Sequence, residues 1–195
     1  MALKLLEDRI LSEGTFLPGG VIKVDSFLNH QMDPELIAVL GREIADKFRE
    51  DGVTKILTVE ASGIAIAIMA GYFLKVPVVF AKKSRSSNLG KDGLYTAMAH
   101  SFTKNVDNTL VVSAKFLKSE DRVLIVDDFL AMGEAVKALR DIVRQAGAEL
   151  AGVGIAVEKD FQPGGKELRA EGIKLVSLAV VDVSDNGDIA FKAYQ

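Results

Sequence analysis

The segment from Val123 to Ala135 constrains this sequence more strongly than any other. Its first four residues, 123–126, are apolar and mostly β-branched, which predicts a strand buried on both faces of a sheet. Two adjacent acids, Asp127 and Asp128, are expected to end that strand. A short loop with a single glycine, Gly133, follows, and a helical pattern then begins. The segment therefore predicts a strand–loop–helix unit with two carboxylates at the end of its strand.

Such a unit is suited to binding a phosphorylated sugar. In open α/β sheets, ligands bind in the crevice beyond the carboxyl ends of the strands. Carboxylates at that edge can accept hydrogen bonds from a sugar diol or hold a metal ion, and the N–H groups of a helix N-terminus favour a phosphate. A diol and a phosphate one loop apart indicate a ribose 5-phosphate. The same string is also compatible with a strand, a helix cap and a turn that bind nothing.

Length and composition limit the class of protein. A chain of 195 residues, 49% of them hydrophobic, can bury one sizeable core, and we predict a single domain over residues 1–195. The absence of cysteine excludes disulfides and thiolate metal sites and fits a reducing, cytoplasmic location. Two histidines argue against a His-rich metal centre, and a net charge of −3 without a long basic run gives no indication of nucleic-acid binding. The longest apolar run, residues 64–70, is far shorter than the roughly 20 residues of a membrane span, and the N-terminal segment lacks the apolar core of a signal peptide.

Strands and helices alternate along most of the chain, which predicts a mainly parallel sheet. Predicted strands cover residues 21–24, 55–59, 76–80, 110–113, 123–126, 151–157, 175–183 and 189–193. Predicted helices cover residues 2–12, 34–50, 64–74, 134–146 and 163–170, the second of them with Asp33 as its N-cap. The predicted fold class is α/β, with a mainly parallel twisted sheet flanked by helices.

Three further segments carry candidate binding groups. Ser62 and Gly63 lie between a predicted strand and a helix, where backbone N–H groups could hold an anion, although a close-packed turn would look the same. Residues 81–108 are too long for a tight connection, and we predict a flexible basic lid over roughly residues 82–108, with a solvated surface excursion as the alternative. Residues 95–102 are expected to pair as a strand within it. The polar segment 25–31 is either an ordinary loop or a lid whose Asn29 amide, which donates and accepts at once, suits a purine edge.

The acidic pair in its strand–loop–helix unit resembles the phosphoribosyl pyrophosphate signature of type I phosphoribosyltransferases. Further segments, in the right order and over nearly the full length, are similar to the xanthine branch of that family. The matching segments are residues 23–31, 60–64, 78–81, 100–104, 127–131, 158–159 and 161–164. The acidic pair identifies the superfamily, whereas the segment from Ser26 to Gln31 is the more specific mark of the xanthine branch.

The resemblance implies a reaction and a set of site residues. Xanthine would react with 5-phosphoribosyl 1-pyrophosphate, bound as its Mg²⁺ complex, to give xanthosine 5'-monophosphate and pyrophosphate in purine salvage. The enzyme would be a homodimer, with a core of roughly residues 35–160 and a small hood from residues 1–34 and 160–195. The implied catalytic residues are Asp127 and Asp128, which would lie against the ribose hydroxyls. The other implied contacts are Ala131, Met132, Gly133, Glu134 and Ala135 with the 5-phosphate, Ser62 and Gly63 with the pyrophosphate, Lys82 and Lys83 at the start of the basic lid, and Ile22, Asn29 and Lys159 with xanthine.

Four positions depart from the family pattern. Met132 stands where the xanthine branch has Asn and Glu134 where it has Gln, so the phosphate loop loses a donor and gains a negative charge. These two changes should weaken phosphate binding unless backbone N–H groups suffice or Glu134 turns outward. Ala61 stands where relatives commonly have Ser, and Ala131 where the hypoxanthine–guanine branch has an Asp that is proposed as a base.

The departures leave two alternatives to a xanthine enzyme. One is a non-catalytic sensor that binds the sugar diphosphate and a purine, and the other is a phosphoribosyltransferase with a different purine preference. Purine repressors of the sensor kind carry an additional DNA-binding domain, for which the N-terminal segment has little room. A phosphoacceptor receiver domain also ends an apolar strand in Asp-Asp, but at its first strand, and too little chain follows residue 127 for such a domain.

Overall fold

The computed structural model describes residues 3–17, 20–84, 93–101, 106–184 and 189–193. The helices in these ranges are α1 Lys4–Glu13, α2 Pro34–Lys47, α3 Gly63–Leu74, α4 Glu134–Gln145 and α5 Gly164–Ala170. The strands are β1 Thr15–Leu17, β2 Val21–Lys23, β3 Lys55–Val59, β4 Val78–Ser84, β5 Leu94–Ser101, β6 Val106–Ser113, β7 Arg122–Leu130, β8 Glu149–Lys159, β9 Leu175–Val183 and β10 Ile189–Lys192. A π-helical segment, Asp25–Asn29, lies between β2 and α2.

Eight strands form one sheet in the order β10-β9-β8-β7-β3-β4-β6-β5. The central strands from β9 to β4 are parallel to one another. β10 at one end of the sheet, and β6 and β5 at the other, pair in the antiparallel sense. β1 and β2 form a separate antiparallel pair. The predicted fold class, a mainly parallel twisted sheet flanked by helices, is therefore confirmed.

The sheet separates two apolar cores. Residues of α1, α2 and α3 contribute to the core on one face, and residues of α4 to the core on the other. Along β7, Leu124 and Val126 join the first core while Val123 and Ile125 join the second, and all four are fully buried. The prediction of a strand buried on both faces is therefore confirmed for residues 123–126.

The start of α2 follows from local sequence chemistry. The Asp33 carboxylate accepts hydrogen bonds from the backbone N–H groups of Glu35 and Leu36, at 3.0 and 3.1 Å, and Pro34 occupies the first helical position. These contacts satisfy N–H groups that have no partner within the helix. The helix ends at Lys47, a few residues earlier than predicted.

The acidic pair does not end the central strand, so that prediction is wrong. β7 continues through Asp127 and Asp128 to Leu130. The reason is its partner: β8 runs beside it for its whole length, with Ile155 opposite Asp127 and Val157 opposite Phe129. Because the ladder of hydrogen bonds continues, the strand continues.

The segment predicted as a lid is paired into strands where the structure describes it, and its action as a lid stays a prediction. Residues 82–84 belong to β4, residues 94–101 form β5, and residues 106–108 begin β6. These strands pair in the antiparallel sense, with Lys82 opposite Val111 and Tyr95 opposite Val112. The strand expected at residues 95–102 is therefore present with shifted ends. Residues 85–92 and 102–105 lie outside the described residues.

The segment after β2 is neither an irregular loop nor an open lid in this structure. Residues 25–29 form a π-helical turn, and its apolar residues Phe27 and Leu28 are fully buried. Burial of these two side chains anchors the turn to the core, and Asn29 is the last residue of the turn.

Two remaining predictions concern the periphery. None of the helices in the described ranges has the length and apolarity required to cross a membrane. β9 and β10, which fall in the predicted hood, are hydrogen-bonded into the main sheet, while the hood boundary itself stays a prediction.

Candidate active site

The loop after β7 forms an open anion-binding geometry. Gly133 has φ +83°, a left-handed conformation that favours glycine, and α4 begins at the next residue. No side chain caps the helix, so its first N–H groups remain available to a ligand. Gly164 of α5 supports the loop from behind and donates its N–H to the carbonyl oxygen of Ala131 at 3.1 Å.

A cavity of about 450 Å³ opens at this loop. It is lined by Gly20, Val21, His100, residues 129–136, Lys159 and Gln162. The structure thus brings the five predicted phosphate-loop residues and the predicted purine-binding lysine into one cavity. These groups come from the ends of β7 and β8, the edge at which parallel strands deliver side chains to a ligand.

Asp127 and Asp128 lie inside the strand rather than beyond its end. They are 4% and 8% exposed, and the N–H of Asp128 donates to Oδ1 of Asp127 at 3.0 Å. Burial, and then the neighbouring charge of Asp128, raise the pKa of Asp127 well above its usual value. Neither acid lines the 450 Å³ cavity, although the residues that follow them directly do.

The second predicted anion loop lies beside the acidic pair. A Cβ on Gly63 would lie 2.6 Å from Oδ1 of Asp127 and would clash with Oγ1 of Thr58, so only glycine fits there. Gly63 opens α3, and no side chain caps that helix either. Oγ1 of Thr58 is buried and has no hydrogen-bond partner among the described residues. This end of the site therefore offers unsatisfied N–H and O–H groups.

Lys82 and Lys83 lie on a different surface from the phosphate loop. Both are exposed and border a second cavity of about 1100 Å³. The backbone N–H of Lys83 donates to Oε1 of Glu60 at 2.6 Å, which fixes this part of β4 beside the loop before α3. Glu60 and Ala61 are joined by a cis peptide bond. The positive charge of Lys83 lowers the pKa of Asp127, but burial and the charge of Asp128 outweigh this effect.

Lys159, the predicted purine-binding lysine, is partly buried and lines the cavity. Its Nζ donates to the carbonyl oxygen of Gly20 at 3.0 Å and lies 5.7 Å from the centre of the Phe129 ring. Burial lowers the pKa of Lys159. A partly buried donor above an aromatic face suits a planar ligand with exocyclic oxygens.

Ile22 and Asn29 do not line the cavity. Ile22 is 7% exposed and packs in the apolar core. Oδ1 of Asn29 is buried and has no partner among the described residues. The oxygen of the Asn29 amide is therefore free to accept a hydrogen bond, as a purine-binding role requires. No contact among the described residues links Asn29 to the cavity.

Sequence reasoning assigned residues 131–135 and Lys159 but missed the other lining residues of the cavity, three of which have side chains suited to binding. Phe129 provides an aromatic wall, and Gln162 has a buried Oε1 without a partner among the described residues. His100 reaches the cavity from β5 and forms a 2.7 Å contact between Nδ1 and Oδ1 of Asp107. Gln162 follows the carboxyl end of β8, a position at which a polar residue is itself a signal for binding.

No metal-binding cluster accompanies these groups in the described part of the chain. Within the described ranges, no three His, Cys, Asp or Glu side chains lie close enough to share a metal ion. Of the departures from the family pattern, Glu134 lines the cavity and its Oε1 lies 3.2 Å from Nζ of Lys137.

Comparison with known proteins places this site in a family. The pattern of the phosphoribosyl transferase domain matches residues 29–184. A curated protein from Ligilactobacillus salivarius named xanthine phosphoribosyltransferase is 51% identical over 190 residues, covering 97% of this chain and 98% of the relative. A protein of the same name from Stutzerimonas stutzeri is 53% identical over 189 residues, covering 97% and 99%.

Solved structures agree in fold. The crystal structure of adenine phosphoribosyltransferase from Rhodothermus marinus matches with a TM-score of 0.71 at 21% identity, covering 92% of this chain and 99% of that one. The Trypanosoma brucei adenine phosphoribosyltransferase, in complex with AMP, pyrophosphate and ribose-5-phosphate, matches with a TM-score of 0.72 at 20% identity, covering 93% and 83%. The fold, the full-length relatives and the domain pattern agree, and the chain belongs to the phosphoribosyltransferase family.

Proposed function

We propose that the chain is a xanthine phosphoribosyltransferase of purine salvage that works in the cytoplasm. It transfers the phosphoribosyl group of 5-phosphoribosyl 1-pyrophosphate to xanthine and releases pyrophosphate and xanthosine 5'-monophosphate. The observation that carries the proposal is the 450 Å³ cavity, which combines the open N-terminus of α4 with Lys159. Relatives about half identical over nearly their full length, all named for this activity, support the choice of purine.

The 5-phosphate is assigned to residues 131–135. A phosphate dianion there can accept hydrogen bonds from the uncapped N–H groups of α4 and interact with the positive end of the helix dipole. Backbone donors do not depend on residue type, so Met132 can replace a polar residue without removing them. Gly133 permits the tight approach that such a contact needs.

Asp127 and Asp128 are assigned to the ribose. As C–O cleavage proceeds, the sugar ring acquires oxocarbenium character, and a nearby carboxylate stabilises the developing positive charge. The raised pKa of Asp127 means that the pair holds less negative charge in the free protein than two ordinary acids would. Pyrophosphate is assigned to Ser62 and Gly63, with Lys82 and Lys83 nearby, and Mg²⁺ enters as part of the diphosphate substrate.

Xanthine is assigned to the Lys159 end of the cavity. Lys159 can donate to a purine oxygen, and the buried acceptors of Asn29 and Gln162 can receive purine N–H groups. The Phe129 ring offers a stacking face. Ile22 contributes by supporting this wall from the core.

A purine panel tests the proposal. The protein is incubated with phosphoribosyl pyrophosphate, Mg²⁺ and either xanthine, hypoxanthine, guanine or adenine, and nucleotide formation is followed by chromatography. We expect xanthosine monophosphate at the highest kcat/KM. Turnover of another purine instead would support a changed preference, and tight binding of the sugar diphosphate with no product from any purine would support a sensor.

We also propose that two copies of the chain associate through α3 and β4. Residues 63–74 are apolar on all sides of α3, yet Ile68 and Tyr72 are 53% and 71% exposed. Val78 lies between these two exposed side chains and the second cavity of about 1100 Å³, which is lined in part by Phe80 and Phe116. Exposed apolar side chains grouped in this way are typical of protein–protein contacts. A second copy supplies an equally apolar surface.

Light scattering after size-exclusion chromatography tests this association. Ile68→Glu is expected to convert a dimer to a monomer because it buries a charge in the contact. Leu11→Glu, which changes a separately exposed leucine on α1, is the control and should leave the mass unchanged. A wild-type protein that is monomeric at micromolar concentration would contradict the proposal.

A further inference from the structure

A cluster of three charges connects the phosphate loop to α5. Nζ of Lys137 lies 3.2 Å from Oε1 of Glu134 and 2.9 Å from Oε2 of Glu167. Its Cε lies 3.7 Å from the point that a Cβ on Gly133 would occupy, so the lysine stem crosses the glycine of the loop. Glu134 lines the cavity, but Lys137 does not. Lys137 therefore lies behind the loop and forms an ion pair with Glu134.

The charge balance of this cluster bears on phosphate binding. With Lys137 charged, the cluster carries a net charge of −1, and without it the charge would be −2. The hydrogen bond to Glu167, followed by that to Glu134, raises the pKa of Lys137, which keeps it charged at neutral pH. A sugar phosphate brings a charge close to −2 to the adjacent N–H groups. The unopposed carboxylate of Glu134 would repel it.

We propose that Lys137 is a charge-shielding and positioning residue for the 5-phosphate. It draws the carboxylate of Glu134 toward the side of α4 and offsets the negative charge that this chain carries in its phosphate loop. The inference rests on the proposed role of residues 131–135 in binding the sugar phosphate. Lys137 acts through Glu134, since it does not line the cavity itself.

A purely structural role has to be separated from this one. Through Glu167, Lys137 also links α4 to α5, and loss of that link alone could loosen the loop. The test therefore compares Lys137→Met with a double variant that also removes the charge of Glu134 through Glu134→Gln. If Lys137 acts by shielding, Glu134→Gln makes it unnecessary, whereas a lost structural link would persist in the double variant.

Isothermal titration with ribose 5-phosphate measures the site without turnover, and steady-state kinetics measure KM for each substrate. We expect Lys137→Met to weaken ribose 5-phosphate binding and to raise KM for phosphoribosyl pyrophosphate, each about 3- to 10-fold, as fits one half-exposed charge. KM for xanthine should not change. In the double variant with Glu134→Gln, both values should return to within about twofold of Glu134→Gln alone.

Arg144→Met is the matched control. It removes a similar pair from the other end of α4, where Nη2 of Arg144 lies 2.9 Å from Oδ1 of Asp141 and three residues separate the two. The inference is overturned if Lys137→Met binds ribose 5-phosphate as tightly as this control, or if its defect persists in the double variant. A wild-type protein that neither binds ribose 5-phosphate nor forms nucleotide removes the proposed function and this inference together. That outcome is distinguishable because the wild type is measured first.

Discussion

Gly164 allows a direct test of whether the shape of the phosphate loop controls catalysis. A Cβ at this position would lie 2.5 Å from the carbonyl oxygen of Ala131, 2.8 Å from N of Gly133 and 2.9 Å from C of Met132. All three neighbours are backbone atoms, so no side chain can rotate away. Relief of the closest contact requires a loop displacement of about 1 Å, since ordinary carbon contacts begin near 3.4 Å.

Two magnitudes follow for Gly164→Ala. Overpacking costs about 1–3 kcal/mol, and part of that is offset by about 0.5–1 kcal/mol because alanine restricts the unfolded chain. The expected loss of about 1–2 kcal/mol corresponds to a fall in Tm of about 2–8 °C for a chain of this size. Misplacement of a substrate by about 1 Å lowers rates by up to about 100-fold, so kcat/KM should fall about 10- to 100-fold.

The assay compares Gly164→Ala with Gly41→Ala at a temperature well below both Tm values. Gly41 is the matched control, because its Cβ would lie 2.7 Å from N of Ala70, at the contact between α2 and α3 and away from the cavity. We expect a similar loss of stability in both variants, and a loss of kcat/KM in Gly164→Ala only. Equal kcat/KM in the two variants would refute the argument that the loop geometry is limiting.

Three further predictions concern the buried charges. Arg169→Met removes the cation that binds Glu158 at 2.6 and 2.7 Å and leaves a 1% exposed carboxylate without it, so urea denaturation should show a loss of about 3 kcal/mol. Burial and the charge of Asp128 raise the pKa of Asp127, so the native state binds the carboxyl proton of Asp127 more tightly than the unfolded state does. This proton binding stabilises the native state at low pH, and the stabilisation is lost as pH rises through the folded pKa. Asp127→Asn should therefore flatten the fall in unfolding free energy with rising pH, measured by urea titrations from acid to neutral pH, while kcat drops on the order of 100-fold. Lys159→Met should raise KM for xanthine about 10-fold and leave KM for phosphoribosyl pyrophosphate unchanged, which steady-state kinetics would show.

The sequence predicted correctly those helices and strands that are determined by residues close to one another in the chain. The strands at residues 55–59 and 175–183 have the predicted bounds, because their mostly apolar sequences lie in the parallel part of the sheet. The start of α2 was predictable from Asp33 and Pro34, whose contacts lie within three residues. The acidic pair and its loop were likewise predictable as parts of one unit.

The errors arise where distant residues decide the structure. The carboxylates of Asp127 and Asp128 favour a strand end, but pairing with β8 extends β7 beyond them. Lys82 and Lys83 look like a solvated loop, yet backbone pairing to β6 places them in a strand while both side chains stay exposed. Gln162 enters the cavity through the turn after β8, which no periodicity in the sequence reveals.

The position of β7 has a consequence for the way the protein is made. One neighbour of β7, β3, precedes it in the chain, and the other, β8, follows it. During synthesis, a nascent chain that ends before residue 149 presents an apolar strand with one edge unpaired, the kind of edge at which growing polypeptides associate wrongly. Asp127 gains its opposite residue, Ile155, only when β8 has emerged from the ribosome. The acidic pair is thus enclosed late in translation, and the interval before β8 arrives is the period in which a chaperone would protect this chain.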